Sequence, residues 1–172
     1  SGLVEPSAAP NHVQFNTPLS FVHAMLPHAQ QAANELGIEP HVLVAQAALE
    51  TGWGKSIPTR ADGTTSFNVF GVKAGKNWTG DAVEARTSEF THGRMVSKQD
   101  QFRGYESFAD AFNDYVTLIR TNPRFQSALG AGSEFINLLQ QGGYATDPDY
   151  ASKINRILDG DVMRALRADF KA

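Results

Sequence analysis

Val42-Leu43-Val44-Ala45-Gln46-Ala47-Ala48-Leu49-Glu50-Thr51-Gly52-Trp53-Gly54 decides how this 172-residue chain reads. The run before Glu50 is apolar on nearly every face of a helix, which predicts a helix enclosed by protein. Glu50 follows three residues after Ala47 and seven after Leu43, so it shares their face, although Glu is among the residues least often fully buried. Loss of water and the negative end of the helix dipole both push such a carboxyl above its reference pKa of about 4.3. A carboxylic acid still protonated near neutrality is what a general acid requires. Thr51-Gly52-Trp53-Gly54 then offers a hydroxyl, two small residues that let a ligand approach the backbone, and a large aromatic ring. A glutamate closing an ordinary helix would point to solvent or to Lys55. The apolar run on one side and Gly-Trp-Gly on the other favour a functional reading.

Working outward, Pro40 suits the first turn of this helix, and Gly37 is the stop of the helix before it. That earlier helix begins at Ser20 on the pattern of Phe21, Ala24, Met25, His28, Ala32 and Leu36. Residues 1–17, with Pro6 and Pro10, read as a linker or tail, with Pro18 at its border. Downstream, residues 55–68 are irregular. Asn68–Val72, Asp81–Phe90 and Met95–Tyr105 lean towards strands, with turns at Gly75-Lys76-Asn77 and Thr91-His92-Gly93. Val83, Ala85, Thr87 and Glu89 alternate with Glu84, Arg86, Ser88 and Phe90, as in a small antiparallel hairpin. Helices resume at Ser107, with Asp110 three residues on. Asn122-Pro123 starts a short helix, Ser133 caps another that stops at Gly142-Gly143, and Asp147-Pro148 starts a last pair running to about Phe170. The fold class is therefore α+β, mainly α: one domain over residues 18–172, with a β insertion at about 68–106.

Composition narrows the functions. An apolar content of 41% supports one substantial core. The 15 Lys and Arg against 18 Asp and Glu leave a formal net charge of −3. There is no basic run of the kind a nucleic-acid binder concentrates on one face. The longest apolar stretch is far below the roughly 18 residues that cross a membrane, so neither nucleic acid nor membrane insertion is expected. The N-terminus lacks a basic region followed by an apolar one, so no signal peptide is read there. The chain opens at Ser1-Gly2 without Met and reads as part of a longer one. The absence of Cys excludes disulfides, thiol catalysis and Cys-ligated zinc, and leaves the compartment open.

A glycosidase of the two-carboxylate kind needs a partner for Glu50. Glu89 shares a strand face with the less polar Val83, Ala85 and Thr87 and lies at the hairpin end, whereas Glu84 sits on the solvated face with Arg86. Glu89 is the candidate. Sugars stack their C–H faces on aromatic rings, and Trp53, Trp78, Tyr105 and Tyr144 all fall in or beside loops. Thr51 adds a hydroxyl. Phe70 reads as core. The five histidines show no H-E-x-x-H spacing, and no phosphate loop, nucleophile elbow or calcium loop occurs. Neither a metal nor a cofactor is expected.

Three stretches together resemble a known family. They are Gln46–Gly54, then Asn68-Val69-Phe70-Gly71-Val72-Lys73-Ala74, then Gly143-Tyr144-Ala145-Thr146-Asp147-Pro148-Asp149-Tyr150-Ala151. In this order they resemble the mannosyl-glycoprotein endo-β-N-acetylglucosaminidase-like domain of glycoside hydrolase family 73, and within it the flagellar rod-assembly members. The resemblance runs from about Pro18 to Leu166. It implies a lysozyme-like helical lobe with a small β-lobe over the cleft, and hydrolysis of the β-1,4 bond after N-acetylglucosamine in peptidoglycan. It implies Glu50 as proton donor, Glu89 as base or nucleophile and Tyr144 at the catalytic centre, with peptidoglycan glycan strands as the substrate. It further implies flagellar rod proteins as partners through an upstream domain absent from this chain, and export through the flagellar apparatus to the periplasm. A lytic transglycosylase or muramidase on the same fold, or a non-catalytic peptidoglycan-binding module, are the alternatives.

Overall fold

The structure, a computed structural model, describes residues 12–171. Two helices open it, α1 (Pro18–Leu36) and α2 (Pro40–Thr51), followed after a long connection by a hairpin of β1 (Ala82–Thr91) and β2 (Arg94–Arg103). Then come α3 (Phe108–Thr121), two 3-10 turns (Pro123–Ala128 and Gly132–Glu134), α4 (Phe135–Gln141), α5 (Tyr150–Leu158) and α6 (Asp161–Lys171). This is the mainly α architecture with one small antiparallel β element that the sequence predicts.

The helix ends follow local chemistry. Helix α1 starts two residues before Ser20, because Thr17 and Ser20 cap each other: the Ser20 N–H donates to Thr17 Oγ1 at 3.0 Å and the Thr17 N–H to Ser20 Oγ at 3.2 Å. Gly37 and Gly52 close α1 and α2 in the left-handed conformation, with φ of 69° and 55°. Every residue of α2 from Val42 to Ala48 is buried, because α1 covers one side of it and α5 another. Of the tail expected over 1–17, residues 1–11 lie outside the described residues. Phe15 packs edge-on against Phe21, with ring centroids 5.2 Å apart.

Two expectations are corrected. Ser133 caps no helix: it lies inside the second 3-10 turn, which runs straight into α4, and no side chain caps that helix. The 3-10 bonds from the Glu134 and Phe135 N–H groups to Ala131 and Gly132 satisfy donors a cap would otherwise serve. Asn68–Val72 is a loop, not a strand. Buried Asn68 clasps it, accepting the Val72 N–H on Oδ1 at 3.0 Å and donating from Nδ2 to Val72 O at 2.8 Å and Arg103 O at 2.9 Å. A side-chain amide that satisfies the loop's own backbone groups removes the need for a neighbouring strand. The loop is also tied to β2 by the Arg103 N–H on Val72 O, 3.0 Å, and the Ala74 N–H on Gln101 O, 2.9 Å.

In the hairpin, Ala82 pairs with Arg103 and Thr91 with Arg94, with Glu89 opposite Val96. Along β1, Val83, Ala85, Thr87 and Glu89 are the more covered face, and Glu84 and Arg86 are exposed. The strand parity is as the sequence predicts. The main core gathers α1, α2, α3 and α5 around Phe21, Met25, Leu43, Tyr115 and Ile154, and Phe70 joins it, stacked on Tyr115 with centroids 3.9 Å apart.

Asn68→Ala leaves three partners of a buried amide unmet and is expected to destabilise the protein by about 2 to 3 kcal/mol in chemical denaturation. Wild-type stability in that variant would show that the clasp holds nothing.

Candidate active site

A cleft of about 710 Å³ opens between the hairpin and the helical body. Leu49 and Glu50 line it from α2, Gly71–Lys73 from the clasped loop and Arg86–Glu89 from β1, while Tyr144–Asp147 and Tyr150 close the far side. Glu50 is half-buried at the last turn of α2. Its Oε1 accepts the Tyr150 hydroxyl hydrogen at 2.7 Å, and among the described residues its Oε2 has no hydrogen-bond partner. Burial raises the carboxyl from its ordinary value of 4.5 to about 7, against the opposing pull of the Tyr150 hydrogen bond.

Gly71 is required where it stands. Its φ is +64°, and a Cβ there would lie 2.7 Å from Glu50 Oε2, so a side chain would collide with the acid. Of the tyrosines around Glu50, Tyr115 and Tyr150 are buried and Tyr144 is half-buried. Tyr144 donates to Phe70 O at 2.6 Å, which ties the loop after α4 to the clasped loop. Tyr115 and Tyr150 share Gln46: the Tyr115 hydroxyl donates to Gln46 Oε1 at 2.7 Å, and Gln46 Nε2 donates to the Tyr150 oxygen at 3.0 Å. Burial pushes all three phenols well above the usual range, so they remain neutral.

Glu89 occupies the opposite wall, with its side chain 19% exposed. It pairs with Lys73 Nζ, which also reaches Asp100 Oδ2 at 2.9 Å. Lys73 is raised above its ordinary value: burial alone would lower it, and the hydrogen bonds to Glu89 and Asp100 outweigh that. Asp100 is lowered, chiefly by the same ammonium. The hairpin tip is fastened by the Phe90 N–H donating to Thr146 Oγ1 at 3.0 Å. Two carboxyl groups thus face one cleft, one among neutral phenols and the other beside a cation.

The structure brings Glu50, Glu89 and Tyr144 together in this cleft. It does not bring Thr51, Trp53, Trp78 or Tyr105 there. Thr51 is buried, donating to Ala47 O at 2.7 Å and accepting the Gly54 N–H at 2.9 Å. Trp53 packs against the main core. Trp78 donates from Nε1 to Asp81 O at 2.8 Å and lies under the Arg103 guanidinium, 4.6 Å from the ring centroid. Tyr105 is 5% exposed in a second core with Phe67 and Ala111, its hydroxyl donating to Asp114 at 2.5 Å. Trp78 and Tyr105 are packing and hydrogen-bond anchors at the base of the hairpin, and Trp53 belongs to the edge of the main core. Sequence reasoning missed Lys73, Tyr115 and Tyr150. It also passed over Gln46, whose signal was present: a polar residue in an otherwise apolar enclosed helix must have partners.

Residues 26–161 match the family described as mannosyl-glycoprotein endo-beta-N-acetylglucosaminidase. The chain is 44% identical over 158 residues to the peptidoglycan hydrolase FlgJ of Pseudomonas aeruginosa, covering 90% of this chain and 40% of that protein. To the protein of the same name from Vibrio parahaemolyticus it is 44% identical over 147 residues, covering 84% and 47%. A crystal structure of a peptidoglycan hydrolase mutant from Sphingomonas sp. A1 superposes with a TM-score of 0.81 at 48% identity, covering 86% of this chain and 96% of that one. The chain spans less than half the length of the curated relatives named.

The folded state holds a proton on Glu50 that the unfolded chain releases above about pH 4.5, so ionising it in place costs stability between that pH and about 7. Glu50→Gln is expected to match the wild type in stability near pH 4 and to gain about 3 kcal/mol on it by pH 8. A gain that stays constant across this range would exclude a buried, protonated Glu50.

Proposed function

Because the chain belongs to the mannosyl-glycoprotein endo-β-N-acetylglucosaminidase family and is thereby a glycoside hydrolase, we propose that it cleaves the β-1,4 bond following N-acetylglucosamine in peptidoglycan. The observation that carries this reading is the Glu50 carboxyl. It is held to about pH 7 by burial, with Oε2 free toward a cleft whose other wall carries Glu89. In the reaction Glu50 gives its proton to the glycosidic oxygen as the C1–O bond breaks and that oxygen takes the bonding pair. A water then adds hydroxide to C1 and passes its proton to Glu89. In the alternative route the nucleophile is the substrate's own acetamido oxygen, which bonds to C1 as the glycosidic bond breaks and gives a cyclic oxazolinium that water then opens, a route N-acetyl sugars permit without a protein nucleophile. The Tyr144 oxygen, its proton committed to Phe70 O, retains lone pairs that accept an acetamido N–H. Lys73 sets the orientation of Glu89.

The resemblance to the flagellar rod-assembly members of the family extends the reading. It takes in the opening of the wall for flagellar rod assembly, rod proteins as partners engaged by residues outside this chain, and the periplasm as the place of action. The cleft between the hairpin and the body, about 710 Å³ in volume, has room for more than one sugar ring, which suits an enzyme acting within glycan strands.

The test is digestion of purified peptidoglycan, borohydride reduction of the new ends and mass spectrometry of the soluble products. Reduced N-acetylglucosamine termini are expected. Reduced muramic acid ends would make the enzyme a muramidase and anhydro-muramic ends a transglycosylase, while binding without products would make it a binding module. Glu50→Gln is expected to lower product release at least about 100-fold while the protein stays folded, and full activity in that variant would remove Glu50 from the acid role. Glu89→Gln, lowering activity about 10-fold or more, would support the water-activating role. Unchanged turnover would favour acetamido attack.

A further inference from the structure

Gln46 touches no part of the cleft, yet it is fully buried and bonded at both ends of its amide. The chain of bonds runs Tyr115 Oη–H to Gln46 Oε1, Gln46 Nε2–H to Tyr150 Oη, and Tyr150 Oη–H to Glu50 Oε1. It joins α3, α2 and α5 across sequence separations of 69, 104 and 100 residues. Accepting Glu50 as the acid, we propose that this chain is a one-directional positioning device that keeps Oε1 of Glu50 an acceptor and so places the catalytic proton on Oε2, with Gln46 as the positioning residue.

The direction follows from an inventory of donors and acceptors. An amide NH2 only donates and an amide oxygen only accepts. Tyr115 has one hydroxyl hydrogen and is 0% exposed. With the amide as it stands, that hydrogen meets Gln46 Oε1, and the NH2 faces Tyr150. Turning the amide over would give the Tyr115 hydrogen a donor to face, leaving it unpaired in the core, which costs the desolvation of a buried polar group. The reverse chain is also the unproductive one. Tyr150 would then donate to the amide oxygen and take a hydrogen from Glu50, so the acid proton would sit on Oε1 and point into the protein. In the observed direction Tyr150 has given its hydrogen to Oε1, and only Oε2 can carry the acid proton. Oε2 is the oxygen beside Gly71, where the lack of a Cβ leaves it bare.

The titratable groups about Glu50 are Tyr115 from α3, Tyr144 from the loop after α4 and Tyr150 from α5; Lys73, Arg86, Glu89 and Arg103 line the hairpin side of the cleft, and Arg124, Asp147 and Lys153 line its other side. The three phenols stay neutral throughout the working range because burial raises them well above their ordinary values. The direction of the chain therefore does not change as Glu50 titrates.

Tyr115→Phe removes one hydroxyl, keeps the ring stacked on Phe70, and makes no change within reach of substrate. Its loss frees the amide to turn over, so protonated Glu50 gains Tyr150 as a partner. Activity against peptidoglycan falls as the acid loses its proton, and this basic limb is expected to move up by about half a pH unit. The plateau kcat is expected to drop about threefold or more with KM unchanged. Gln46→Leu vacates the same lone pair on Tyr150, moves the limb in the same direction, and serves if Tyr115→Phe does not fold. A lower Tm with the limb unmoved in both variants overturns the proposal and reduces the chain to packing. Glu50→Gln, run alongside, separates the two ideas: if it stays active, the acid assignment fails first. If it is inactive while the limb of the other variants is unmoved, only the positioning role fails.

Discussion

Glu50 is a carboxylic acid kept among apolar helices at the end of α2, and the surrounding structure is arranged around the difficulty of keeping it there. Removing an ionisable carboxyl from water costs several kcal/mol unless it neutralises or finds donors. Here both happen. Burial raises it to about 7, and one neutral phenol donates to it. A cation at that distance would favour the charged form and spoil the acid. The site instead sets three uncharged tyrosines about Glu50, two of them held by the Gln46 amide, and places Gly71 beside its Oε2.

The second carboxyl is treated in the opposite way. Glu89 sits on a strand with partial access to solvent and pairs with Lys73, which Asp100 shares from the neighbouring strand. On the proposed mechanism, a carboxyl raised by burial and a carboxylate paired with a cation would serve as acid and base in one cleft. Lys73 comes from the loop that Asn68 clasps, one residue beyond the clasp. The same loop therefore carries the bare Gly71 against the acid and the ammonium against its partner.

Much of this was legible in the sequence where chemistry is local. The enclosed helix with a glutamate on its buried face led to Glu50. Strand parity chose Glu89 over Glu84, and a tyrosine stranded in a glycine loop led to Tyr144. The failures share one physical cause. For Trp53, Trp78 and Tyr105 the sequence identifies rings beside loops, but a ring in a loop can face the cleft or the core. Trp78 and Tyr105 turned inward because Arg103, Asp81 and Asp114 offered partners there. The hydrogen-bond chain through Gln46 joins residues from three helices far apart in sequence, so periodicity within any one of them is silent about it. Asn68–Val72 was misread as a strand because its Val and Phe have β-propensity, and the side chain that overrode it closes on its own backbone.

The stretch Gly143–Ala151 shows why a motif can outlast any one of its contacts. Tyr144 ties it to the clasped loop through Phe70 O, and Thr146 receives the hairpin through the Phe90 N–H. Asp147 accepts the Asp149 N–H at 2.8 Å and pairs with Lys153 in the first turns of α5. Tyr150, the first residue of α5, reaches Glu50. Nine residues thus touch the acid, the loop that bares it and the strand that carries its partner. The hairpin is a two-stranded ribbon, marginal by itself in water, so the placement of Glu89 depends on where its tip and base are fastened. The tip is held by Thr146 and the base by Val72 and Ala74, on the two loops that Tyr144 joins. The relative position of the two carboxyls is therefore set by this short set of loop contacts rather than by the helical core, and the core's task is to keep α2 and α5 still enough for Glu50 to remain neutral.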